Sequence, residues 1–204
     1  MMEYNIIISG IGGQGVLTVA RILGEAALYS GIKVRMSEVH GLSQRFGSIF
    51  AHVRMGDHVY GGLVPMGKGN MLLALEPAES LRYMHYMKKG GALVLNKNPI
   101  EPPQVSMGLF NYPNLLKIKD IATEKFGLRV IEVDAKKIAA EAGGELAQNS
   151  AMLGATLEIP GFPLTREAIV YAVRKVISSR YADINIKAID LGSEETKKIV
   201  AAIF

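Results

Sequence analysis

Two neighbouring stretches of this chain carry residue types and spacings suited to chemistry. In the first, Ile6, Ile7 and Ile8 run into Ser9-Gly10-Ile11-Gly12-Gly13-Gln14-Gly15-Val16, with glycines spaced G-x-G-x-x-G between an apolar segment and an amphipathic one. Gly10 and Gly12 let the backbone turn sharply and approach a ligand, and Gly15 lets a helix pack on the strand. The N–H groups of Gly12, Gly13, Gln14 and Gly15 then form an anion cradle at the helix start. The pattern points to a nucleotide-like or phosphate-bearing ligand; the competing reading is glycines that only permit close strand-to-helix packing. The second stretch runs from Ser37 to Gly47, polar and broken by Gly41, just beyond a predicted strand. Its Arg45 offers a planar fork suited to phosphate or carboxylate, with Ser43 and Gln44 as polar contacts and His40 as a donor to an anion. A surface arginine and a turn-stabilising histidine are the plain alternatives.

Other chemistries find less support. A dinucleotide at the glycine turn needs an acid roughly 20 residues beyond the last glycine, and Glu38 stands near that place, facing either ribose or solvent. No substrate-clamping arginine with a paired histidine and carboxylate follows it. The four histidines, His40, His52, His58 and His85, lack metal-ligand spacing, and no serine sits in a G-x-S-x-G elbow. His52 and Arg54 share one face of a predicted strand and read as its polar outer side.

The elements that would position these residues alternate strand and helix. Residues 5–9, 14–30 and 32–37 read as a parallel βαβ opening, with Gly31 as the helix cap. A strand at 48–55 pairs with 59–64 through Gly56-Asp57 as a hairpin. Residues 70–75 form a strand, Glu76-Pro77 opens a helix to about 88, and 92–95 is the next strand. The proline-rich 96–114 is a connector with one short strand at 104–107. Helices at 117–126, 135–142 and 145–158, a strand at 128–133 and a helix capped by Thr165 follow, and residues 183–191 read as helix before a last helix capped by Ser193. The expected fold class is α/β, with a Rossmann-like, mostly parallel sheet, an antiparallel hairpin excursion and helices on both faces, as one domain over residues 1–204.

Composition narrows the function classes. With 204 residues, 49% of them hydrophobic, the chain can bury a substantial core. The apolar run at the start is far short of the ~20 residues a membrane span needs. The first residues lack a signal-peptide pattern, so a cytoplasmic location is expected. Zero cysteines rule out disulfides and thiolate-held iron–sulfur clusters within the chain. The net charge of +4 comes from scattered lysines and arginines without a basic stripe, against a nucleic-acid face.

Taken together, these segments resemble the gamma-type domain of 2-oxoacid:ferredoxin oxidoreductases, and within it the beta subunits of the indolepyruvate type. The resemblance spans nearly the whole chain. It rests on the glycine turn, the 38–45 loop leading to Ser48 and His52-Val53-Arg54, Leu75-Glu76-Pro77 with Glu79, and Asn149 ahead of Leu153-Gly154-Ala155. Two departures stand out: Phe46 where the family often has glycine, and Asn70 where it often has aspartate. The resemblance implies oxidative decarboxylation of 2-oxoacids to acyl-CoA with reduction of ferredoxin. It also implies thiamine diphosphate and iron–sulfur clusters in a larger alpha subunit, and a hetero-oligomer with two copies of each subunit. This chain would then be inactive alone and catalyse nothing itself. Gly10, Gly12, Gly13, Gln14, Gly15, Ser43, Gln44 and Arg45 would line the place where coenzyme A meets the complex. A stand-alone NAD-dependent dehydrogenase and an architectural subunit without a ligand are the two rivals.

Overall fold

The computed structural model describes residues 3–40 and 47–204. Six strands form one open sheet: β1 (Tyr4–Ile11), β2 (Val34–His40), β3 (Ser48–Met55), β4 (Gly69–Ala74), β5 (Met87–Asn96) and β6 (Arg129–Val133). Their order is β2-β3-β1-β4-β5-β6, with β1, β4, β5 and β6 parallel and β3 antiparallel to both its neighbours. Side chains alternate across the pleat, so each strand feeds two cores. Ile6, Ile8, Met71, Leu73, Ala92 and Val94 join one apolar cluster, whereas Ile7, Leu72, Ala74, Leu93 and Leu95 join another.

The first face is covered by α1 (Val16–Tyr29), α5 (Ala135–Ala142), α6 (Gln148–Thr156), α7 (Arg166–Val176) and α8 (Ser179–Ile203). The second face carries α2 (Pro77–Tyr83), a short α3 (Pro103–Ser106) in the β5–α4 connection, and α4 (Leu115–Asp120), which continues as π-helix through Lys125. Among the described residues no helix is long and apolar enough to cross a membrane.

The α/β class, the helices on both faces and most element positions agree with the sequence reading; several local expectations do not. β1 and β2 run in the same direction, but β3 lies between them, so the opening unit is not a pair of adjacent parallel strands. The antiparallel excursion exists as β2 followed by β3. Residues 59–64 form no strand, because both edges of β3 are already taken by β1 and β2. They cross the second face of the sheet instead, where Val59 and Val64 are buried. The helix after Pro77 stops at Tyr83, gives a 3-10 turn at Met84–Tyr86, and β5 starts at Met87, earlier than expected. Gly90 accommodates the early start with φ +77°, where the β4–β5 register shifts. The expected strand at 104–107 is the helical turn α3, and α8 runs unbroken through Ser193. The Ser193 hydroxyl donates to Glu158 rather than capping a helix.

Candidate functional site

β1 and β4 are adjacent and parallel, but their connections leave in opposite directions. From β1 the chain passes through α1 toward β2 and β3; from β4 it passes through α2 on the other face toward β5 and β6. A crevice therefore opens beyond the carboxyl ends of these two strands, the place where open α/β sheets receive ligands. The glycine turn forms one lip of that crevice, and Leu75-Glu76-Pro77 forms the other.

The turn is locked from three sides. Gln14 folds back so that its Oε1 accepts from the Ile11 N–H at 3.1 Å while its Nε2 donates to the Leu75 carbonyl at 2.6 Å. This couples the two lips directly. Asn149, at the start of α6, donates from Nδ2 to the Gln14 carbonyl at 2.8 Å. The Gly12 N–H donates to the Gly47 carbonyl at 2.9 Å, just ahead of β3, and the Gln14 N–H to the Ile11 carbonyl at 3.0 Å, so two of the expected cradle donors already have partners within the chain. Gly13 and Gly15 take the left-handed conformation, with φ +92° and +88°. A Cβ on Gly10 would fall 2.7 Å from Gln14 Oε1, and one on Gly15 2.6 Å from Asn149 Nδ2. On Gly13 it would meet nothing within 4 Å. Close packing thus explains Gly10 and Gly15, while Gly13 faces open space.

A cavity of about 320 Å³ adjoins the turn, walled by Ile11, Glu76, Glu79, Leu81, Arg82 and Tyr112 among others. Glu76 is its organising residue. Placed before Pro77, it caps α2, its Oε2 accepting from the Glu79 N–H at 2.9 Å. Its Oε1 accepts from the Tyr112 hydroxyl and, at 3.4 Å, from the Ile100 N–H. The side chain is buried, and that burial holds its carboxyl above the usual range despite these donors. Burial raises the Tyr112 hydroxyl too, and its bond to Glu76 adds to the shift. Behind the cavity wall the Ser48 hydroxyl donates to Glu79 Oε2, and because Ser48 has a single proton the Tyr83 hydroxyl, 2.6 Å away, must donate to Ser48. Arg82 Nε completes the set at 3.1 Å from Glu79 Oε1. In the sequence Glu76 marks a helix start, and Glu76, Glu79 and Ser48 carry the family resemblance without a place in the candidate site. The signal was Glu76-Pro77 with Glu79 three residues on, a capping pattern in which both acids turn out to face inward.

Ser43, Gln44 and Arg45 lie outside the described residues, as does Phe46. Glu38 is described: it is exposed on the edge strand β2 and pairs with Ala51 of β3. β3 therefore stands between Glu38 and the strand carrying the turn, and the nicotinamide reading loses its ribose acid. Asn70 accepts the Asn5 N–H at 2.9 Å, a task that needs an acceptor but no charge. Among the described residues no three His, Cys, Asp or Glu side chains converge as a metal set.

His52 and Arg54 are not a solvated outer face. Residues 59–64 lie over them. His52 is 1% exposed, with Nδ1 accepting from the Val64 N–H at 2.9 Å, and burial lowers its pKa to about 4. Arg54 donates to the carbonyls of Gly61 and Leu63 at 3.0 and 3.2 Å and to Asn5 Oδ1 at 3.0 Å. The loop is held where a paired strand was expected.

An α/β sheet with a glycine turn at its switch point defines a broad class of folds, and comparison with known proteins gives the family. Residues 5–195 match the family model described as pyruvate ferredoxin/flavodoxin oxidoreductase, and the chain belongs to that family. It is 50% identical over 200 residues to indolepyruvate oxidoreductase subunit IorB of Pyrococcus horikoshii, covering 98% of this chain and 99% of the relative. Among solved structures it resembles the gamma subunit of keto/oxoacid ferredoxin oxidoreductase from Geobacter sulfurreducens, with TM-score 0.69, 25% identity, and 95% and 98% of the two chains covered. It also resembles 2-oxoglutarate:ferredoxin oxidoreductase from Magnetococcus marinus, solved with 2-oxoglutarate, coenzyme A and succinyl-CoA bound. There the TM-score is 0.73 at 17% identity, and the match covers 97% of this chain but 32% of that one. The chain is thus an oxidoreductase subunit of the indolepyruvate type within a family of multi-subunit enzymes.

Proposed function

We propose that this chain is the cofactor-lacking beta subunit of an indolepyruvate-type ferredoxin oxidoreductase, a single gamma-type domain that supplies one wall of the coenzyme A site. The turn around Gly10, Gly12, Gly13, Gln14 and Gly15, with Ser43, Gln44 and Arg45 from the loop beyond β2, receives the anionic part of coenzyme A. Thiamine diphosphate and the iron–sulfur clusters belong to the alpha subunit, where the 2-oxoacid is decarboxylated and electrons leave for ferredoxin. Zero cysteines in this chain fit that division of labour.

The observation that carries the reading is Gly13. Gly13 takes φ +92° in the turn before α1, and a Cβ there would meet nothing within 4 Å, so a ligand can reach the backbone. The Magnetococcus marinus enzyme of like fold, solved with coenzyme A bound, adds support. The test is copurification. Tagged chain expressed with its alpha subunit should yield a complex that contains thiamine diphosphate and iron–sulfur clusters and converts an aryl pyruvate to its acyl-CoA with ferredoxin. Isolated chain should do neither. A lone chain that reduces NAD would overturn the reading.

A further inference from the structure

The connection between β5 and α4 has two contrasting sides. Inward, Ile100, Pro102, Val105 and Tyr112 wall the cavity beside the glycine turn. Outward, Met107, Leu109, Phe110 and the adjoining Leu116 are 73%, 66%, 68% and 63% exposed. Four large apolar side chains within ten residues, each left mostly in water, exceed the scatter normal for a monomer surface and mark a contact site.

The segment is fastened from beneath rather than from above. Tyr112 and the Ile100 N–H bond to Glu76, Tyr112 also accepts from the Ala78 N–H at 3.2 Å, and Asn98 bonds Asp134 at 3.2 Å. Pro99, Pro102, Pro103 and Pro113 further restrict its backbone. Both ends of the segment are therefore fixed before any partner arrives, which limits the entropy lost on association.

Two observations say what covers it. The same fold recurs as 32% of the Magnetococcus marinus chain, joined there to the remainder of an oxidoreductase; on the subunit assignment made above, this chain meets the corresponding body as a separate molecule. The exposed side chains also continue directly into the cavity wall through residues 100–113, so a body seated on them stands at the cavity mouth. We propose that Met107, Leu109, Phe110 and Leu116 are the seat of the thiamine-diphosphate subunit, whose docking closes the cavity beside the glycine turn. The proposal rests on the subunit assignment made above.

The test measures affinity, not turnover. Leu109→Asp combined with Phe110→Asp places two charges in the centre of the seat and removes no contact that holds the fold. The expected result is a dissociation constant for the alpha subunit raised by at least ~100-fold, with an unchanged melting temperature for the isolated chain. Leu146→Asp, on the separate apolar surface near Tyr181, should leave affinity within about twofold. Wild-type affinity in the double variant, beside a normal wild-type complex, overturns the seat and leaves the subunit assignment standing. Failure of the wild-type chain to bind any thiamine-diphosphate subunit overturns both. A homodimer of the free chain that the double variant dissociates would assign the surface to a second copy and overturn the proposal.

Discussion

Between α6 and α8, Gly154 and Gly192 stand where the opposing backbone passes: an added Cβ would lie 2.1 Å from the Ile189 carbonyl oxygen and 2.2 Å from that of Ala151. In the turn between β1 and α1, a Cβ on Gly13 would meet nothing within 4 Å. The first pair of glycines is explained by the contact it allows. Gly13 is explained only by its left-handed backbone and by whatever approaches from outside. Both regions look alike in a sequence, as glycines amid apolar residues, and they separate only when the space opposite each Cα is known. At Gly154 and Gly192 the close approach of a backbone ties the residue to stability, whereas at Gly13, in the turn at the sheet's crevice, the backbone is left open to a ligand.

Substitutions should divide along that line. The largest effect falls at the helix pair, where Gly154→Ala forces two backbones apart and should cost more than about 3 kcal/mol, read by urea or thermal unfolding. A small loss there would remove the packing half of the comparison.

His52 gives a packing effect on the other face without a glycine. Its folded pKa of about 4 lies below the ordinary 6.5, so the unfolded chain binds more protons between those values. Stability is full above pH 6.5 and falls as pH drops toward 4, by roughly 2–3 kcal/mol. His52→Asn keeps an acceptor for the Val64 N–H and should flatten that slope, as unfolding across this pH range would record.

Gly15→Ala is intermediate. It combines a left-handed φ with a clash against Asn149 and should cost about 2 kcal/mol, visible as a lower melting temperature. Gly13→Ala bears the backbone strain alone, about 1 kcal/mol, and its main effect should be on ligand affinity.

The strands, the helix starts and the glycine turn were legible because each is written in local pattern: isoleucines before glycines, Thr165 ahead of an apolar stripe, Asp134 and Ala135 opening a helix whose end at Gly143 takes φ +104°. The place of β3 was not, since its alternation is the same whether it pairs with β1, with β2 or with residues 59–64. Pairing is a long-range choice, and Ile6 meets Val53 across 47 residues of chain. His52 was misread for the same reason, because its cover is an irregular loop with no periodic signal. Glu76-Pro77 marks a helix start in the sequence, but nothing local marks Glu76 or Glu79 as buried. Their burial depends on Tyr112 and Ser48, which arrive from distant segments.

Contact between the turn and coenzyme A at Gly13 would show in the KM for coenzyme A of the reconstituted complex. With Gly13→Ala that KM should rise about tenfold or more, the equivalent of one lost charge-assisted contact, while the melting temperature falls only slightly. An unchanged KM in a folded, assembled variant would contradict that contact and leave the turn a packing device like the α6–α8 contact.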